Sequence, residues 1–331
     1  MMLSEEINTR IFSPGNDQDW NCLALEIFRY QAEENPVYRK FLTCLNVNPD
    51  VISHYTDIPF MPVGFFKDHV VVTGDSKSAE KVFTSSSTTG TVPSRHFICD
   101  LRLYEESFLK AFRLFYGEVA NYRFLALLPG YLERTGSSLV YMLDFLIRMT
   151  ERNGSGFFLH DHDALEARLL QPVEGTIKTI LFGASYALLD FSERHPIDLS
   201  HAIIMETGGM KGRRREMVRE ELHHLLCQRF QSKSIHSEYG MTELLSQAYS
   251  QGNGVYRAPP WMKVQVRDPN DPLTLLPAGK TGGINVIDLA NIYSCSFIAT
   301  QDLGRSLADG SFEILGRFDE SEVRGCNLLV V

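Results

Sequence analysis

The chain has 331 residues, 44% hydrophobic and 22% charged, a composition ordinary for a soluble globular protein with ample length for a large core. A net charge of −9 and a pI of about 5.6 argue against an extended nucleic-acid surface. The absence of any run of about 18 apolar residues predicts no membrane-spanning helix. The acidic start Met1-Met2-Leu3-Ser4-Glu5-Glu6 lacks a signal peptide's apolar core, and Cys22, Cys44, Cys99, Cys227, Cys295 and Cys326 form no Cys-x-x-Cys pair; reduced thiols, no zinc site and a cytoplasmic location are expected.

Residues 16–42 read as helical. Asp17 or Asp19 can cap, and Leu23, Ile27, Tyr30 and Ala32 share an apolar face until Pro36 interrupts. Residues 58–63 are extended and proline-punctuated, suited to packing the N-terminal region onto the body. Residues 70–73 read as a strand ended by Gly74-Asp75. From 82 to about 237, strand candidates at 124–128, 179–182, 202–206 and 233–235 alternate with helix candidates at 101–114, 137–149, 164–170 and 215–230. This alternation predicts α/β layering around a largely parallel sheet, with ligands at the carboxyl ends of its strands. After Gly254 the texture changes to short strands at 263–267, 283–288, 296–300 and 311–315, separated by Pro, Gly and Asp. The expected organisation is an α/β nucleotide- and acyl-binding body over 1–254, a β-rich subdomain over 255–318, and a truncated hinge and tail over 319–331.

Several stretches carry candidate chemistry. Val82-Phe83 leads into Thr84, Ser85, Ser86, Ser87, Thr88, Thr89, Gly90 and Thr91, then Val92-Pro93-Ser94-Arg95. A strand feeding a loop of hydroxyls and glycine suits phosphate, because hydroxyls and backbone N–H groups donate to its oxygens; a flexible Ser/Thr linker is the alternative. Residues 128–139 follow a strand and open a helix at Ser137-Ser138, which can cap it or present backbone N–H groups to a carboxylate. The pair Gly208-Gly209 precedes the basic run from Lys211 to Arg215, either a solvated helix start or an anion contact. His160-Asp161-His162-Asp163 reads as an exposed turn with a capping Asp rather than a metal site.

Ser237-Glu238-Tyr239-Gly240-Met241-Thr242-Glu243, Thr300-Gln301-Asp302-Leu303-Gly304 and Gly316-Arg317-Phe318-Asp319 follow in order. Together with the hydroxyl loop they resemble the adenylate-forming superfamily of acyl- and aryl-CoA ligases and luciferases. Residues 128–139 and the basic run resemble one subgroup, the LuxE-type acyl-protein synthetases (long-chain-fatty-acid–protein ligases). The resemblance implies that the loop from Ser85 to Gly90 binds the phosphates of ATP. It places Gly208-Gly209 and Tyr239-Gly240-Met241-Thr242 against the adenine side, Asp302 and Arg317 at the ribose, and Glu243 at Mg²⁺, a cation that takes one or two carboxylates plus phosphate oxygens. It further implies a fatty acid substrate, acyl transfer to a cysteine near the C-terminus, here Cys326, and a LuxC-type acyl reductase partner using NADPH.

Two departures bear on the chemistry. Ser87 stands where the family loop has glycine, and the lysine after the proline is missing, leaving Arg95 as the nearest cation. The motif at 316–319 resembles the hinge before a mobile C-terminal domain of about a hundred residues, yet few residues follow Asp319. The family's C-terminal catalytic lysine has no counterpart, so Lys211 or Arg95 would replace it. The resulting expectation is ATP-dependent formation of an acyl adenylate followed by transfer to a thiol. A ligase using free CoA and a non-catalytic nucleotide- or acyl-binding module are the rivals.

Overall fold

The computed structural model describes residues 2–86, 92–130, 132–150, 154–173, 175–208 and 217–318. In chain order, helices α1 (Met2–Ile11), α2 (Asp17–Glu34) and α3 (Pro36–Cys44) precede the short strand β1 (Met61–Pro62) and helix α4 (Phe65–Asp68). A hairpin of β2 (Lys81–Thr84) and β3 (Arg95–Ile98) leads to α5 (Leu101–Tyr116). Then come β4 (Tyr122–Leu127), α6 (Ser138–Met149), β5 (Gly156–Phe157), α7 (His162–Leu170), β6 (Lys178–Ala184), α8 (Ser185–Arg194), β7 (Ile203–Thr207), α9 (Arg219–Phe230), β8 (His236–Tyr239) and β9 (Ala248–Ser250). The last elements are β10 (Val255–Tyr256), β11 (Met262–Arg267), β12 (Thr281–Asp288), β13 (Phe297–Ser306) and β14 (Phe312–Arg317).

One sheet runs β5-β4-β6-β7-β8-β9, parallel except where β9 returns antiparallel to β8. Every residue of β4 is buried, as expected of a parallel strand covered on both faces. The second sheet runs β10-β14-β13-β12-β11 and is antiparallel, with β1 added in parallel to β13 at Met61↔Ile298. Residues 58–63 therefore dock the N-terminal helices by strand addition, and Val63 N–H donates to the Ala299 carbonyl at 2.9 Å.

Local chemistry sets the element ends. Asn16, rather than Asp17 or Asp19, is the N-cap of α2, and Asp19 completes a capping box with it. Asn35 both ends α2 and caps α3, with Pro36 in the first turn. Ser137 caps α6 by accepting from Val140 N–H, and Asp161 caps α7 by accepting from Ala164 N–H at 2.9 Å. Two readings need correction, and one helix went unread. Residues 70–73 are not a strand: Thr73 N–H donates to the Tyr293 carbonyl and Ser294 Oγ to the Val71 carbonyl, isolated bonds to a turn rather than a ladder. The strand expected at 233–235 lies at β8, whose polar sequence hides it. Helix α8 was not apparent in the sequence because most of its faces are buried, which erases the polar stripe of an amphipathic helix.

The two sheets meet on one buried carboxylate. Asp288, at the end of β12, accepts from Leu245 N–H (2.8 Å), Ser246 N–H (2.9 Å), Ser246 Oγ (2.6 Å) and Ala290 N–H (3.2 Å). Ser246 Oγ in turn accepts from Trp261 Nε1 at 2.9 Å and lies 3.0 Å from Ser107 Oγ of α5. Burial pushes the Asp288 pKa up, and the four donors oppose that push. Asp288→Asn keeps the shape but turns an N–H toward at least one of these donors. It should lower unfolding stability by roughly 2–3 kcal/mol, read by denaturant titration; an unchanged midpoint would remove Asp288 from this role.

Candidate functional site

The site residues gather where the carboxyl ends of β7 and β8 face β13 and β14, the edge at which open α/β sheets hold ligands. β2 delivers the chain into the hydroxyl loop and β3 takes it away. The base of the loop is closed by Ser85 N–H donating to the Ser94 carbonyl at 3.1 Å and Ser94 N–H donating to Ser85 Oγ at 2.9 Å. Ser86 follows, exposed. Ser87, Thr88, Thr89 and Gly90 lie outside the described residues, as do Gly209, Lys211 and Cys326.

The loop base touches two other candidate segments. Thr84 N–H donates to the Gly136 carbonyl at 2.7 Å, joining the phosphate-loop strand to the segment that opens α6. Ser94 hydrogen-bonds the Glu243 carboxylate, which is buried. Burial raises the Glu243 pKa; Ser94 and the Arg317 charge pull it down, and Asp302 adds a small upward push. Sequence reasoning passed over Ser94, whose role depends on a fold that returns β3 to this edge.

The Tyr239-to-Glu243 motif begins inside β8. Tyr239 is buried edge-on against the stacked rings of Tyr256 and Phe312, with centroids at 6.0 and 5.8 Å, and its hydroxyl donates to Asp302 Oδ2 at 2.8 Å. The residues read separately as adenine and ribose contacts are thus hydrogen-bonded to each other. Gly240 is exposed, and a Cβ there would sit 2.5 Å from Glu238 Oε1. A side chain there would press on the carboxylate of the buried Glu238, whose Oε2 accepts from Thr207 Oγ1. Met241 packs at the rim of the core. The Thr242 carbonyl lies 2.8 Å from His96 Nδ1, while His96 Nε2 lies 3.0 Å from Asn291 Oδ1. Asn291 Nδ2 donates to the Glu243 carbonyl at 2.8 Å. His96 and Asn291, neither singled out in the sequence, thus brace the motif from behind.

Asp302 and Arg317 are paired across β13 and β14, with Arg317 Nε 3.6 Å from Asp302 Oδ1. Burial raises the Asp302 pKa; Tyr239 and the charges of Arg317, Arg219 and Arg267 oppose it. Gly208 follows β7, and its carbonyl accepts from Ser185 Oγ. Ser185 Oγ also lies 2.8 Å from Glu206 Oε2, and Arg219 Nε lies 3.3 Å from Glu206 Oε1. Arg219 then donates to the Ile314 carbonyl of β14 at 3.0 Å. Arg95 is exposed on β3 with its guanidinium 5.9 Å from the Phe97 ring. In the His160 motif, His160 Nε2 lies 3.0 Å from Glu133 Oε2. Among the described residues no helix is long and apolar enough to cross a membrane, and no group of three or more His, Cys, Asp or Glu is placed to hold a metal by itself.

No protein-family model matches the chain. It is 24% identical to the long-chain-fatty-acid–luciferin-component ligase of Vibrio harveyi, over 98% of this chain and 93% of that protein. ATP-bound MatB from Rhodopseudomonas palustris aligns with a TM-score of 0.54 at 17% identity, over 89% of this chain. This chain spans 61% of the length of that structure. A 2-hydroxyisobutyryl-CoA ligase in complex with 2-HIB-AMP and CoA aligns with a TM-score of 0.65 at 14% identity, over 94% of this chain and 71% of that one. The fold is that of the adenylate-forming ligases, and the resemblance to the LuxE-type ligases extends along the chain rather than resting on short motifs.

The bracing histidine gives a pH prediction. Burial lowers the His96 pKa from 6.5 to about 4, against smaller opposing effects of its hydrogen bonds. The fold therefore favours the neutral ring. The stability this provides is complete above pH 6.5 and is lost as pH falls toward 4, by roughly 3 kcal/mol. Denaturant titrations at pH 7 and pH 4 should show that loss in the native chain. The loss should be smaller by about that amount in His96→Gln; equal slopes would exclude His96 as its source.

Proposed function

We propose that this chain activates a fatty acid with ATP and passes the acyl group to a protein thiol. One observation carries the reading: the base of the hydroxyl loop, the Glu243 carboxylate and the Tyr239–Asp302–Arg317 group converge on one edge of the fold. Whole-length similarity to a ligase whose name specifies a long-chain fatty acid supports the substrate class.

The first step joins a carboxylate oxygen of the fatty acid to the α-phosphorus of ATP. The bond from that phosphorus to its bridging oxygen breaks, and pyrophosphate leaves with the electron pair. The chain's residues bind and orient. Ser85 and Ser86, continuing into Ser87, Thr88, Thr89 and Gly90, donate to phosphate oxygens. Asp302 accepts from ribose hydroxyls, held by Tyr239 and Arg317. Gly208-Gly209 and the Tyr239-to-Thr242 turn bound the adenine side. Lys211 and Arg95 are the cations available to the phosphates.

Glu243 fits Mg²⁺. It is a buried carboxylate whose burial disfavours the bare charge, beside a loop suited to phosphate, and Mg²⁺ takes one or two carboxylates and completes its shell with phosphate oxygens and water. The ion would supply neutralisation of phosphate charge.

In the second step a thiolate attacks the acyl carbonyl carbon and AMP leaves with its carboxyl oxygen. Burial holds the thiols of Cys99 and Cys227 above their ordinary value and pushes Cys295 up to about 12, which makes all three poor nucleophiles. Cys326 is the proposed acceptor thiol, nine residues after Arg317 in the sequence. An acyl reductase is the proposed onward acceptor, and the cytoplasm the proposed location.

Two substitutions test the reading. Glu243→Gln should preserve folding and depress pyrophosphate release by roughly 10²-fold; wild-type rates across a magnesium titration would remove the metal role. With ATP, Mg²⁺ and a long-chain acid, intact mass should show the native chain gaining one acyl group that hydroxylamine removes. Cys326→Ser should release pyrophosphate but gain no such group. Acyl label appearing only on added CoA would instead identify a CoA ligase.

A further inference from the structure

The pairing of β12 with β13 is interrupted where the proposed ribose carboxylate sits. Gly283 pairs with Leu303 and Asn285 with Ala299, so Ile284 alone faces Thr300, Gln301 and Asp302. Such a bulge frees backbone groups that need partners and re-aims the side chains it carries.

Arg267, at the end of β11, supplies the missing partners. Its Nη1 donates to the Ile284 carbonyl at 2.7 Å and to Asn285 Oδ1 at 2.8 Å, and its Nη2 donates to the Thr300 carbonyl at 2.6 Å. Thr300 Oγ1 donates to the same Ile284 carbonyl at 2.9 Å and accepts from Asp302 N–H at 3.1 Å. The Gln301 carbonyl accepts from Phe318 N–H at 2.8 Å, and the Phe318 ring lies 5.8 Å from the guanidinium. A Cβ on Gly283 would sit 2.5 Å from Arg267 Cζ, so this glycine leaves the room the guanidinium fills.

We infer that Arg267 is a positioning residue for the nucleotide: by tying the bulged backbone of β13 it aims Asp302 at the ribose hydroxyls. The inference rests on the proposed reading of Asp302 as the ribose ligand. Arginine suits the task because its planar fork bonds two carbonyls and a side-chain oxygen at once. A lysine at this position keeps the charge but cannot span all three.

The test compares ATP with 2′-deoxy-ATP by calorimetry in the native chain, Arg267→Lys and Thr300→Val, with thermal melting alongside. The ratio of the two dissociation constants is set by the ribose contact among folded molecules, so a general loss of stability does not move it. The native chain should prefer ATP by about tenfold or more, the scale of one hydrogen bond to a charged group. Both variants should fall below about threefold. A native-like ratio in either variant overturns the inference. So does failure of both to fold, which would make the network structural; if only Arg267→Lys misfolds, Thr300→Val decides. Equal binding of the two nucleotides by the native chain would instead overturn the ribose reading, and this inference with it.

Discussion

The geometry depends first on the carboxylate of Asp288. Two sheets with unrelated topologies must meet at a fixed separation, and apolar packing alone leaves their relative slide underdetermined. Asp288 removes that freedom with directional bonds. It belongs to β12 of one sheet, yet three of its four donors come from Leu245 and Ser246, just beyond β8 of the other. Its burial is costly, and the donor count offsets the cost. Because Ser246 closely follows Glu243, anchoring one anchors the other. The candidate metal carboxylate is thereby referenced to the sheet that carries Asp302 and Arg317.

The second constraint is electrostatic. Burial disfavours ionisation of both Glu243 and Asp302, and the Asp302 charge adds to this at Glu243. Arg317 opposes that on both, while Arg219 and Arg267 act on Asp302 from further back. A site of this kind gains most from a ligand bringing hydroxyls to one carboxylate and a cation to the other, which is what a ribose and a metal-bound phosphate chain present. The same desolvation strengthens every contact made there, because fewer water dipoles compete.

Much of this was legible in the sequence. Between β4 and α9 the strands β4, β6 and β7 and the helices α6, α7 and α9 read directly, since each of those strands is a largely apolar run. The resemblance to the adenylate-forming superfamily picks out Tyr239, Glu243, Asp302 and Arg317, which the fold brings to one edge. What could not be read is long-range pairing. His96, Asn291 and Asp288 are polar residues in otherwise unremarkable stretches, and Ser94 is one hydroxyl among many in its loop; each matters because folding brings a partner from far along the chain. Strand β8 was misplaced for a related reason. His236, Ser237 and Glu238 look like loop residues until Thr207 is seen to satisfy Glu238, and a polar strand in a buried sheet exists only with such partners. Helix α8 shows the converse, since burial on most of its faces leaves no periodic contrast to detect.

Activation of a carboxylate by ATP requires two separately bound groups, an acyl carboxylate and an α-phosphate, to meet at near-attack distance. Most of the attainable rate then lies in how firmly their two binding segments are referenced to one another. In the proposed reading that reference is a main-chain bond. Thr84 N–H, at the entrance to the hydroxyl loop, donates to the carbonyl of Gly136, at the entrance to α6. The loop base closes on Ser94, which reaches Glu243, and Glu243 is referenced through Ser246 to Asp288. A displacement of any one segment is therefore felt by the others through short, directional contacts. That is the property a site needs when its chemistry consists of holding reactants still.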